Sequence, residues 1–133
     1  FFGFQPGSDG NLFTYEQLIN YLEEADRASD NLHLEKIGDS PEGRPMYIAF
    51  VSSAENIARL DEYKKWNRRL ALDPQIPEPE RQEMIDHGKV FVLSTLSMHS
   101  SEVGPSQSAP LIVHDLIIGS AGCPDVFVFV VIH

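Results

Sequence analysis

The sequence predicts one α/β domain, a three-layer α/β/α arrangement around a mixed sheet of four strands. Three observations lead there. Residues 32–37 and 46–51 flank the turn cluster Gly38-Asp39-Ser40-Pro41-Glu42-Gly43 and read as an antiparallel hairpin with a loop longer than the tightest type. Two apolar runs, 90–96 and 126–132, enclose a helical stretch and read as a β-α-β unit with parallel strands and a right-handed crossover. Capping-box spacing at Thr14 and Gln17, and again at Ser52 and Glu55, marks two helix starts.

Residues 1–12, rich in Gly, Asp and Asn, form an irregular lead-in. Behind Thr14, Leu18, Ile19, Leu22 and Ala25 fall on one face of a helix. Leu32 to Ile37 alternates apolar and polar, as a half-buried strand does, and Met46 to Val51 is the returning strand. The helix capped at Ser52 runs through Ile57, Leu60, Tyr63 and Lys64 to about Leu72, and its Tyr63, Trp66 and Leu70 stripe reads as core. Pro74, Pro77 and Pro79 interrupt it and make a stiff connector. Glu80 to His87 is a short helix closed by Gly88. Val90 to Leu96 lacks polar alternation, which predicts a central, doubly covered strand. Ser97 to Pro105 is a loop, and Ser106 to about Ile118 is a helix that turns Ala109, Leu111, Ile112 and Leu116 inward. Gly119 to Pro124 turns into the last strand.

The chain has 133 residues and a formal net charge of -10. That acidity speaks against nucleic acid and against an anionic membrane surface, because binding phosphates takes Lys and Arg. No run reaches the ~18 apolar residues of a membrane span. Cys123, the single cysteine, has no partner for a disulfide or a thiolate metal site. The chain begins at Phe1 without Met, as after removal of a signal peptide or trimming.

Chemistry concentrates in Met98-His99-Ser100-Ser101-Glu102-Val103-Gly104-Pro105, directly after an apolar strand, where α/β folds place their sites. A His and a carboxylate three residues apart in a turn can face one point, and an imidazole nitrogen with a carboxylate oxygen suits Zn²⁺. The same spacing also fits a capped turn without metal. Ser100 and Ser101 lack a His-Asp partner pattern that would make either a nucleophile. His133 ends a strand on the same side of a parallel sheet as the His99 loop and is the other His with a topological reason to approach it, although a chain-terminal His is usually frayed. His114 reads as a packing residue of its helix, His87 as a helix-end cation and His33 as an exposed strand residue.

His99-Ser-Ser-Glu102-Val-Gly-Pro resembles the first zinc-binding motif of the carboxypeptidase A-like metallopeptidases. The resemblance runs from about residue 2 to about residue 118. Phe2-Gly3-Phe4, Gly7-Ser8-Asp9 and the helix from Thr14 are similar to the opening of large, secreted, bacterial zinc carboxypeptidase-like proteins. Gly38-Asp39-Ser40-Pro41-Glu42-Gly43-Arg44-Pro45 is similar to the family's G-x-S-x-E-G-R-P hairpin, and Ser52-Ser53-Ala54-Glu55-Asn56 with the helix over 60–70 matches as well. The resemblance implies the N-terminal part of a catalytic domain that hydrolyses C-terminal peptide bonds of a peptide or a peptidoglycan-like peptide. It implies His99 and Glu102 as ligands of one Zn²⁺ and a secreted or periplasmic location.

The family's later signatures are an Asn-Pro-Asp-Gly segment, an Asn-Arg pair for the substrate carboxylate, a second His ligand and a Glu general base. In the family these come after the zinc motif, and the chain shows none of them after the His99 motif. Two readings follow. One is a metallocarboxypeptidase domain of which this chain holds part of the zinc site and no catalytic base. The other is a non-catalytic remnant that works as a folded module or self-associates through exposed sheet edges.

Overall fold

The computed structural model describes residues 1–99, 101–118 and 126–132. The first helix, α1 (Tyr15–Ala28), starts where the cap predicts. Thr14 Oγ1 accepts from the Gln17 amide at 3.2 Å, and the Gln17 side chain accepts from the Thr14 amide at 2.8 Å. Its apolar face buries Leu18, Ile19 and Leu22. Next come β1 (Leu32–Asp39) and β2 (Pro45–Val51), paired antiparallel with Leu32 opposite Val51 and a register shift between Lys36 and Gly38. Then follow α2 (Ala54–Ala58), α3 (Leu60–Leu72), α4 (Glu78–His87), β3 (Phe91–Thr95), α5 (Val103–Ile118) and β4 (Phe127–Ile132).

The result is a mixed α/β fold around a four-stranded sheet of order β1-β2-β4-β3. β4 runs antiparallel to β2 and parallel to β3. Successive residues of β2 serve opposite faces of this sheet. Ala49 and Val51 join an apolar cluster with Leu18, Leu22, Ala109 and Val113 of α1 and α5. Phe50, between them, joins a second cluster with Leu60 and Tyr63 of α3 and with Phe127. Phe127 stacks on Phe91 with ring centroids 4.6 Å apart.

Four expectations are corrected. β3 is an edge strand, not a central one: its described partner is β4 alone, and Leu93 is 60% exposed and Val92 48%. A run without polar alternation does not tell how many neighbours a strand has. The cap of the second helix is Ser53 rather than Ser52, with Ser53 Oγ accepting from the Asn56 amide at 3.3 Å. Ser52 is buried instead: its hydroxyl donates to the Val126 carbonyl at 2.9 Å and accepts from Asn56 Nδ2 at 2.9 Å. The expected single helix breaks at Arg59 into α2 and α3. Finally, α4 and α5 begin earlier than expected, at Glu78 and Val103, so Pro79 and Pro105 lie in first helical turns, and Val113 rather than the exposed Leu111 is the buried residue of α5. The expected turn over 119–124, with Cys123, lies outside the described residues.

Candidate metal centre

β3 is parallel to β4 and β4 is antiparallel to β2, so the carboxyl end of β3 and the β1–β2 turn share one end of the sheet. A cleft of about 710 Å³ opens there. His99 and Glu102 line it from the β3–α5 turn, Arg44 and Met46 from the hairpin, and Phe13 and Tyr15 from the start of α1. The two sequence-predicted residues therefore face one cleft. Tyr15 and Ser97, which also line it, carried no signal in the sequence reading, and Arg44 entered only as part of the hairpin motif, although the order and direction of the strands would have brought the hairpin turn to this end.

The turn is tied within itself. The Glu102 amide donates to the His99 carbonyl at 2.9 Å, and the His99 amide donates to Glu102 Oε2 at 3.2 Å. Among the described residues no hydrogen bond reaches the His99 ring. Ser97 precedes the turn with φ 56, in the left-handed region that costs a serine about 1–3 kcal/mol. Its hydroxyl donates to the Glu102 carbonyl at 2.5 Å and accepts from the Ser106 amide at 2.9 Å.

The opposite wall is fixed by Gln107 of α5. Its buried amide donates to the Phe13 carbonyl at 3.2 Å and accepts from the Phe13 amide at 3.3 Å, which ties the lead-in to the first turns of the helix that leaves the site. Tyr15 donates its hydroxyl to the Pro45 carbonyl at 2.7 Å. Burial pushes its pKa up to about 12, with Tyr47 and Glu16 adding smaller contributions. The folded state thus keeps the Tyr15 proton through a range where the unfolded chain loses it. Stability is intact below about pH 10 and declines as pH rises toward about 12. Urea midpoints should fall across that interval more steeply in the wild type than in Tyr15→Phe. Parallel slopes would show that Tyr15 is not the titrating group.

One imidazole and one carboxylate are a chemically sound part of a zinc donor set, and Glu102 keeps its second oxygen outside the bond to the His99 amide. Among the described residues no three His, Cys, Asp or Glu side chains gather as one metal cluster. His133 and Ser100 lie outside the described residues. His87 and His114 are on α4 and α5, and neither lines the cleft; His33 is exposed on β1. Comparison with protein families, with characterised proteins and with solved structures gives no match to the chain.

Proposed function

We propose that the chain is part of a zinc metallocarboxypeptidase-type catalytic domain, with the three-layer carboxypeptidase-like architecture, and that His99 and Glu102 are two of its metal ligands. The observation that carries this is that both residues line one cleft at the carboxyl end of a strand in a parallel pair. Bound zinc would polarise a scissile carbonyl and acidify a water molecule. The chain's own contribution is to present one imidazole and one carboxylate from a tied turn. The apolar wall of Phe13, Leu18 and Leu96 beside them suits the side chain of a peptide substrate.

Two ligands are fewer than the three protein ligands of catalytic zinc sites, so the 133-residue chain should take up zinc weakly and show no turnover. Competition against a chromophoric chelator should give a zinc affinity that falls at least about tenfold in His99→Ala and in Glu102→Gln. Equal affinity in all three proteins would sink the zinc assignment. Release of a C-terminal amino acid from a blocked dipeptide should stay at background with zinc present. Zinc-dependent release that disappears in His99→Ala would instead mean that another residue completes the site.

A second reading, a non-catalytic module that associates with itself, is favoured by a separate observation. Among the described strands β3 neighbours β4 alone, and it exposes Val92 and Leu93.

A further inference from the structure

We infer that Ser97 is the positioning residue of the candidate metal centre: its hydroxyl shapes the β3–α5 turn so that His99 and Glu102 reach one cleft before any metal arrives. The metal half of this statement rests on the zinc reading above; the ordering of the turn does not.

A serine hydroxyl has one proton and two acceptor directions, and Ser97 uses all of them. The proton goes to the Glu102 carbonyl at 2.5 Å. The lone pairs receive the Ser106 amide at 2.9 Å and the Ser106 hydroxyl at 2.5 Å. Glu102 and Ser106 are four residues apart, the spacing whose direct amide-to-carbonyl bond would close the first turn of an α-helix. The Ser97 hydroxyl bridges that pair, so the end of β3 is joined to the start of α5 at the last residue of the turn. From Glu102 the constraint passes to His99 through the two bonds between them, amide to carbonyl at 2.9 Å and amide to carboxylate at 3.2 Å. Ser97 thus acts on both candidate ligands through the turn.

The backbone makes the same point. At φ 56 glycine would sit without strain, and a serine there pays in conformational energy. The side chain that justifies a serine at this position is the one that makes three hydrogen bonds. Two further features of the cleft do not compete for this role. Gln107 holds the lead-in to α5 rather than the turn, and Tyr15 anchors the hairpin at Pro45.

Ser97→Gly separates strain from hydroxyl, because it accepts the backbone conformation and removes the bridge. Ser97→Ala removes the bridge and keeps the strain. Both are made in the full chain and read three ways: thermal midpoint, amide hydrogen exchange at His99, Glu102 and Ser106, and zinc affinity by chelator competition. In Ser97→Gly the midpoint should stay close to the wild type while exchange in the turn speeds up at least about tenfold. Zinc affinity should drop by about tenfold or more at that unchanged midpoint, a split that a merely stabilising residue would not produce. Wild-type exchange in the Ser97→Gly turn would overturn the inference. So would unchanged zinc affinity in a protein whose wild type binds zinc. Faster exchange in a protein whose wild type takes up no zinc would uphold the ordering of the turn and sink the zinc reading alone.

Discussion

Phe127→Ala is expected to destabilise the protein by about 3–5 kcal/mol, while Leu93→Ala should stay within about 0.5 kcal/mol of the wild type. Both side chains belong to strands of the same parallel pair. Their environments differ. Phe127 is fully buried, stacked on Phe91 and in edge contact with Tyr63 at 5.8 Å, so its removal leaves a cavity bounded by the sheet and α3. Leu93 is 60% exposed on the outer strand and loses little on truncation. Urea denaturation of the two variants, with slopes compared to the wild type, gives both numbers. A cost at Leu93 comparable to that at Phe127 would mean that β3 is covered in solution, and the edge assignment would fall.

The same edge should make the protein associate. Among the described strands β3 neighbours β4 alone, with Val90, Val92 and Leu93 exposed along or beside it. Opposing this is a net charge of -10, whose repulsion acts between copies and is screened by salt. The sign of the salt effect follows: sedimentation should show heavier species as concentration rises, and more of them at about 0.5 M salt than at about 0.05 M, where the screening length is several times longer. Leu93→Lys adds an edge charge that blunts strand pairing and should return the population to monomer. A wild type that stays monomeric at high concentration and high salt would remove the self-association reading.

The sequence made legible what is decided locally. The α1 cap needs only Thr14 and Gln17, the apolar face of that helix needs one turn of spacing, and the hairpin needs the turn cluster between its strands. The His99–Glu102 turn was likewise readable, because the two residues lie four and seven positions after the end of β3. What failed depended on distant parts of the chain. Whether Val92 and Leu93 are covered is decided by how many strands flank β3, and nothing in the run itself encodes that. Ser52 and Ser53 offer the same capping spacing one residue apart. Their roles are separated only by where β2 ends and by the bond from Ser52 to Val126, 74 positions away. Ser97 escaped notice for a conformational reason. Glycine or asparagine advertises a left-handed backbone, while serine does not, so its hydroxyl bridge had no signature.

The strand order also carries a kinetic meaning. β4 lies between β2 and β3 yet follows both in the chain, so the sheet cannot be assembled in the order of synthesis. α1 and the β1–β2 hairpin join neighbours and can form early, whereas closing Ser52 onto Val126 must bring together groups 74 residues apart. Until that closure β3 has no described partner, and the turn that carries His99 and Glu102 has no fixed place relative to the hairpin that faces it across the cleft. The candidate centre therefore depends on that closure. Any nascent or partly unfolded form in which β4 has not docked holds both candidate ligands in its sequence and lacks the cleft that would bring them into use.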